Sequence, residues 1–282
     1  HWSHLLAIYP LRTLTPETPE DRQLIERSLH HWHSFKAGLA GYSATGGACM
    51  VALLGDGDRS LEFLNRLKSF LHANTFYSEA GGLPVIETPL HGATAMQEML
   101  LQSWGGRLRV FPAVASAWPT VQFHQLRGEG GFLISARREQ GTTRWAVVQC
   151  EAAGSVEVEP QMLDAQWTTS PGVTVKGVGA GVYQIEAKPG GWIMFYPKGQ
   201  PRPEPVVRTV PARGKPVSAG ASVLSSRAVK VLRRWLRDVP PTLTTVAQRS
   251  ASRYSRSTRR RRRTRPCCLV VLRARSTTGL LV

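Results

Sequence analysis

The stretch Ser43–Leu54, SATGGACMVALL, is an apolar run of helical length that decides how the first part of this chain folds. Its small residues Ala44, Gly47 and Ala48 permit a close approach of neighbouring elements. The turn Gly55-Asp56-Gly57-Asp58 follows it directly. We therefore predict a tightly packed helix here, followed by a sharp turn and a further helix for which Asp58 is the capping residue.

Three more helices surround this run in the sequence. Thr18-Pro19-Glu20-Asp21 has the composition of a helix start, and apolar residues recur at helical spacing from there to about Phe35. A third helix follows Asp58, with an apolar face formed by Leu61, Leu64, Leu67 and Leu71. A fourth is predicted from about His91 to Trp104, preceded by a Gly- and Pro-rich loop over Ser78–Leu90.

After Gly105-Gly106 the hydrophobic period changes to two, which indicates strands. Short strands separated by Gly and Pro turns are typical of an antiparallel β-sandwich. The predicted strands are Arg107–Phe111, Val121–Arg127, Gly131–Arg137, Thr143–Glu151, Ser155–Glu159, Val173–Val178, Gly181–Ala187 and Trp192–Tyr196. We predict a helical domain over residues 1–105 and a β-sandwich domain over residues 106–206.

The net charge of +17 over 282 residues suggests a polyanion partner, but that charge is unevenly distributed. Residues 207–282 contain 19 basic residues and one acid, a charge of +18. The other 17 basic and 18 acidic residues give residues 1–206 a charge of −1. The part of the chain with globular patterning therefore has no electrostatic reason to bind nucleic acid.

Residues 207–282 are predicted to be a disordered, Arg-rich tail, because like charges such as those of the run Arg259–Arg263 oppose compaction. The excess of Arg over Lys is also what an out-of-frame reading of a GC-rich gene would give. We treat that as a hypothesis, which sequencing across codons 200–220 tests. If the tail is genuine, the alternative function is nucleic-acid binding with a steep salt dependence.

The chain starts at His1 without a Met, a charged leader or an apolar signal core, so we expect a fragment that begins inside a domain. No stretch has the roughly 18–20 uninterrupted apolar residues of a membrane-spanning helix. We expect neither a membrane nor a biological nucleic-acid partner.

Metal and redox motifs are weak. The His1/His4 pair and the cluster His30, His31 and His33 lack the spacing and third ligand of a zinc helix, so no metal is predicted. Gly55–Asp58 lacks the alternating ligands of a calcium loop. Cys49 and Cys150 are expected to be free buried thiols, because neither forms part of a CxxC motif.

Glu87 stands alone between apolar residues in the loop Gly81–Leu90, just ahead of the fourth helix. Two interpretations remain open for this residue. It is either an acid at a helix start, facing the positive end of the helix dipole, or a general base.

Several segments resemble glycoside hydrolase family 95, the α-L-fucosidases, in the same order over roughly residues 1–200. The segments that carry the resemblance are HWSHLLAIYP (1–10), GYS (41–43), LGDGDR (54–59), EMLLQS (98–103), FPA (111–113), AWP (117–119) and LRGEGGF (126–132). The resemblance implies inverting hydrolysis of glycosides without metal or cofactor, with an oligosaccharide or glycoconjugate as the substrate. It also implies a partial (α/α)6 barrel followed by the β-sandwich, and an extracellular or cell-envelope location for the intact protein.

In this family an Asp of a QIDGNFG loop is the base-side carboxylate, and Glu87 falls at its position. By the same resemblance His1 is a sugar contact. Glu87 differs from the family's Asp by one methylene, which puts the substrate in doubt. The family's general acid Glu lies upstream of this chain, so the chain alone is expected to be inactive.

A non-catalytic carbohydrate-binding or scaffold protein is the rival from a second class. Trp145, Trp167 and Trp192 could then form a sugar-stacking face on the β domain.

Overall fold

A computed structural model describes residues 2–35, 39–70, 77–78, 84–206 and 269–273; only the backbone is described for residues 77–78, 84 and 269–273. The chain divides into two compact units, one formed by residues 1–215 with 268–282 and the other by residues 216–267. The second unit lies outside the described residues, so the description below concerns the first.

The described residues form four α-helices close to the predicted positions. They are α1 (Pro19–Ser34), α2 (Gly41–Leu53), α3 (Gly57–Asn65) and α4 (Glu87–Leu100). Short 3-10 helices cover Ser3–Leu5 and Arg66–Phe70. Leu64 and Leu67 of the predicted apolar face are buried, whereas Leu71 lies outside the described residues.

The capping of α1 is as predicted, and that of α3 is not. The Thr18 hydroxyl accepts a hydrogen bond from the Asp21 amide at 3.1 Å. At α3 the cap is Asp56, whose carboxylate accepts from the Arg59 amide at 3.0 Å. The prediction for Asp58 was wrong, because its carboxylate accepts instead from the amide and the hydroxyl of Ser116.

Helix α2 is buried on all sides, which overturns the predicted partial (α/α)6 barrel. Twelve of its thirteen residues are buried, and both α3 and α4 pack against it. A Cβ built on Gly46 would lie 1.9 Å from the Trp2 indole nitrogen, and one on Gly47 would lie 2.6 Å from the Phe63 ring. Because the other elements surround one central helix, the four described helices form no set of hairpins around a barrel axis. The described part of the chain is predominantly β.

The end of α4 also differs from the prediction. The helix stops at Leu100, and Leu101–Trp104 forms a strand that pairs with Arg107–Val110 across Gly105-Gly106. Both glycines have positive φ, +62° and +73°, as a two-residue hairpin turn requires. At the other end, α4 begins at Glu87, so the predicted loop is shorter by one helical turn.

Thirteen strands complete the described residues. They are β1 (Tyr77–Ser78), β2 (Pro84–Val85), β3 (Leu101–Trp104), β4 (Arg107–Val110), β5 (Thr120–Gly128), β6 (Phe132–Glu139), β7 (Thr142–Cys150), β8 (Gly154–Glu159), β9 (Ala165–Thr169), β10 (Val173–Gly179), β11 (Val182–Ala187), β12 (Trp192–Pro197) and β13 (Leu269–Arg273). One sheet has the order β10-β11-β8-β4-β3, the second has the order β13-β5-β6-β7-β12-β9, and β1 pairs with β2.

All eight predicted strands are present, with ends that shift by one or two residues. The expectation of purely antiparallel sheets was wrong, because β4 and β8 pair in parallel, with Leu108 opposite Val158. Strand β9 was not predicted. Its sequence AQWTT alternates apolar and polar residues over only four positions, and its pairing with β12 defines it.

The buried apolar residues form two clusters. One joins the helices and runs from Trp2 to Ala115; the other lies within the sheets and runs from Leu100 to Phe195. The clusters divide near the predicted boundary at residue 105, although the boundary itself stays a prediction. Of the predicted disordered tail, the structure describes only β13, which extends the second sheet beside β5; residues 207–268 and 274–282 lie outside it.

Candidate active site

Glu87 is the first residue of α4, so its carboxylate lies at the end of the helix where the macrodipole is positive. Its side chain is exposed. Ile86 and Leu90 beside it are also exposed, 63% and 62%. Among the residues that the structure describes, none forms an ion pair with Glu87. This position agrees with the helix-start interpretation, and the role of general base stays a prediction.

One helical turn after Glu87, on the same side of α4, His91 enters a chain of hydrogen bonds. Its Nδ1 lies 2.8 Å from the Thr45 hydroxyl, which itself donates to the Tyr42 carbonyl at 2.8 Å. Because the hydroxyl proton is used there, Nδ1 must be the donor to Thr45. The His91 Nε2 is therefore free of a proton and can accept from the Cys49 thiol, whose Sγ lies 3.6 Å away.

Aromatic rings enclose His91. We define the aromatic cluster as Trp2, Tyr9, Tyr42 and His91. The three other ring centroids lie 5.0–5.7 Å from the imidazole, and Trp2 is stacked on it. Trp2 also stacks on Tyr42 at 5.7 Å and donates its indole N–H to the Tyr42 carbonyl. Gly46 leaves the space that the Trp2 ring occupies.

Burial keeps this network uncharged. It lowers the pKa of His91, which favours the neutral imidazole. It also raises the pKa of Tyr9 and the pKa of Cys49, and both side chains stay protonated around neutral pH. Tyr9 packs against the His91 ring, with ring centroids 5.7 Å apart. The exposed Glu87 carboxylate is thus one helical turn from a neutral aromatic cluster in which Trp2 and Tyr9 are buried and Tyr42 and His91 are partly exposed.

A buried ion pair lies at the other end of α4. The Arg12 guanidinium contacts the Glu98 carboxylate at 2.5 Å, and both side chains are less than a fifth exposed. Burial raises the pKa of Glu98, although Arg12 opposes that rise. Glu98 follows Glu87 by eleven residues of one helix, which is about 16 Å along the axis. Inverting glycosidases place their two carboxyl groups about 6.5–9.5 Å apart, so Glu98 does not pair with Glu87 as a catalytic acid.

The other sequence candidates lie apart from this site. His1 is outside the described residues. His31 and His33 both lie on α1. His31 packs edge-on against Phe35, and His33 packs against Phe63 of α3. Cys49 and Cys150 are free and buried, as expected.

The three tryptophans of the rival carbohydrate-binding hypothesis differ in accessibility. Trp145 is 2% exposed and cannot present a stacking face, whereas Trp167 is 40% exposed at the edge strand β9. Trp192 is half-buried beneath the Arg202 guanidinium.

The sequence reasoning did not single out Trp2, Tyr9, Tyr42 and His91 as a group. Trp2 and Tyr9 belong to the segment that resembles the fucosidases, which was the one available signal. Their contact with His91 is long-range, and no local spacing reveals it.

Within the described ranges, no three His, Cys, Asp or Glu side chains are grouped to hold a metal ion. No helix among those residues is long and apolar enough to cross a membrane. No protein-family model matches the chain, and no curated protein matches it at a significant level.

Proposed function

We propose that this chain is part of a glycoside hydrolase that resembles the inverting α-L-fucosidases, with Glu87 as the base-side carboxylate. The observation that carries the proposal is the exposed carboxylate of Glu87, unpaired among the described residues, one helical turn from the aromatic cluster. The ordered sequence segments support the same function. The proposal does not depend on a helical barrel.

The expected chemistry follows from this surface. Tyr42 and His91, the partly exposed members of the aromatic cluster, offer an uncharged ring face to a sugar, whereas Trp2 and Tyr9 are buried and hold them in place. Glu87 then removes a proton from water as the water oxygen attacks the anomeric carbon. The bond to the leaving oxygen breaks on the opposite face, and the configuration inverts; that oxygen takes its proton from the general acid, which the resemblance places upstream of this chain. No cofactor takes part in this scheme, and the substrate is an oligosaccharide or a glycoconjugate.

The test uses 2,4-dinitrophenyl α-L-fucoside, whose leaving group departs without a proton from an acid. The rate of dinitrophenolate release then reports the base side of the reaction. We expect Glu87→Gln to lower that rate by about 10²–10⁴-fold, the usual contribution of a positioned general base. Glu62→Gln is the matched control, since Glu62 is an exposed carboxylate on α3 that pairs with Arg66.

Two further measurements make the result specific. Adding azide to Glu87→Ala should restore turnover and yield β-L-fucosyl azide, because the small anion replaces the activated water. Urea unfolding should show that neither variant has lost its fold. Because this leaving group needs no acid, we expect the unmodified chain to hydrolyse this substrate, although the chain alone is expected to be inactive on natural glycosides. Normal turnover by Glu87→Gln, or no turnover above the solution rate by the unmodified chain, would overturn the proposal.

A further inference from the structure

A second polar cleft lies on another part of the same unit, between the end of α2 and the hairpin β3–β4. Its volume is about 380 Å³, within the usual range of about 300–1,000 Å³ for small-molecule sites. Leu53, Leu54, Pro16 and Pro112 supply its apolar lining. Its polar lining is formed by Glu17, Gln102, Arg107, Arg109, Glu159 and Gln161.

The charges that line this cleft cancel. Two arginines face two glutamates, and each guanidinium already has a carboxylate partner. Arg109 contacts Glu17 at 3.3 Å, and Arg107 contacts Glu157, just outside the cleft, at 2.6 Å. The Glu159 carboxylate accepts a hydrogen bond from the Gln161 side chain at 3.1 Å. An anionic ligand would have to break one of the two arginine pairs to reach a guanidinium.

Arg109 and Trp104 form a fixed surface in this cleft. The Arg109 guanidinium lies 3.6 Å from the centre of the Trp104 ring and donates to the Trp104 carbonyl at 3.1 Å. The Trp104 indole N–H in turn donates to the Gln102 side chain at 3.2 Å. The Gln102 amide is bound to the carbonyls of Ala52 and Glu98, on α2 and α4. The polar groups are therefore held in place before any ligand arrives.

Among the residues that the structure describes, two of the six non-glycine residues with positive φ lie at or beside this cleft. Gln161, in the lining, has φ +57°, and Phe111, beside Pro112, has φ +55°. Positive φ is unusual for any residue with a side chain and costs about 1–3 kcal/mol, and such strain is often found at functional sites.

We propose that this cleft binds a neutral, polyhydroxylated small molecule, a saccharide of one or two rings. Sugar hydroxyls both donate and accept, so they can bind carboxylates, guanidinium groups and amides that keep their existing partners. An anion would meet Glu17 and Glu159, and the carboxylate of a zwitterion would have to displace Glu17 or Glu157 from its arginine. The proposal does not rest on Glu87 and concerns a separate site.

The experiment follows the indole N–H resonance of Trp104 in the full chain, assigned with Trp104→Phe, during titration with D-glucose, D-galactose, D-mannose and L-fucose. We expect at least one of these neutral sugars to shift that resonance with saturation. Glu159→Gln and Gln161→Ala should each weaken that binding by about tenfold, the effect of one lost hydrogen bond to a charged or amide group. Glu186→Gln, an exposed carboxylate on β11, is the matched control and should bind normally.

D-galacturonate, D-galactosamine and glycine are the comparison ligands, each at the same concentration as the hexoses. The proposal is overturned if none of the four neutral sugars shifts the resonance, or if a charged or zwitterionic ligand binds more tightly than they do. Unchanged binding in both Glu159→Gln and Gln161→Ala would also overturn it. Because the readout is at Trp104, loss of hydrolysis in a Glu87 variant leaves this result unaffected.

Discussion

The helical region and the sheet region of this chain hide polar groups in different ways. In the helical region, the Arg12–Glu98 pair and the chain from Thr45 through His91 to Cys49 lie inside the packed elements. In the sheet region the buried polar side chains Gln122, Ser135 and Thr143 are uncharged, and pairs such as Arg127–Glu151 lie at the surface, with side chains 62% and 48% exposed. The difference indicates that charge and pH act on stability mainly through the helical region.

Removing one carboxylate from each region gives the largest contrast. Glu98→Ala leaves the Arg12 charge buried, and we expect a loss of about 3–5 kcal/mol in the free energy of unfolding. Glu151→Ala removes an exposed pair and should cost about 1 kcal/mol or less. Urea unfolding of both variants measures this. Equal losses of unfolding free energy in Glu98→Ala and Glu151→Ala would contradict the comparison. So would a double variant Arg12→Met/Glu98→Leu that is no more stable than Glu98→Ala alone.

Packing provides a second contrast, of smaller size. A Cβ at Gly46 would overlap Trp2, so Gly46→Ala should displace that ring at a cost of about 1–3 kcal/mol. Gly177 on β10 has no atom within 4 Å of the same position, and Gly177→Ala should leave stability nearly unchanged. Thermal unfolding measures stability, and near-ultraviolet circular dichroism follows the Trp2 environment. If Gly46→Ala proves as stable as Gly177→Ala, Trp2 does not pack against Gly46 of α2 as closely as described.

The pH dependence of stability provides the smallest contrast. Burial lowers the pKa of His91 in the folded chain, so between that value and the ordinary value of about 6.5 the unfolded chain binds more protons. This contribution to stability is present above pH 6.5 and is lost as pH falls below it. His91→Gln keeps a polar group beside Thr45 but cannot titrate, so we expect a flatter curve of unfolding free energy below pH 6.5. If the unfolding free energy of His91→Gln falls below pH 6.5 as steeply as that of the unmodified chain, a group other than His91 causes the pH dependence.

Local rules were enough to predict much of the secondary structure. Thr18 followed by Pro19 marks a helix start, and alternating residues mark the strands, because these signals come from neighbours in sequence. The rules failed where distant residues decide the outcome. Ser116 binds the carboxylate of Asp58, which leaves Asp56 to cap α3, and pairing with β12 makes a strand of β9.

The same limit applies to the candidate site. The sequence alone selected Glu87, since an acid ahead of a helix is a local signal. Trp2, Tyr42 and His91 meet only because α2 is central and α4 packs against it, and hydrophobic spacing does not specify that arrangement. The wrong prediction of a partial barrel has the same cause. The sequence indicated four helices, but their mutual packing was inferred from the resemblance.

The complete burial of α2 has a consequence for how this chain is made. A helix without a polar face is insoluble by itself, and its cover comes from both sides in sequence, with α4 ending at Leu100 about 50 residues after α2. At a synthesis rate of about 5–20 residues per second, α2 waits about 2–10 s on the ribosome before α4 is made. During that interval the run SATGGACMVALL is the segment of the growing chain that most needs a chaperone.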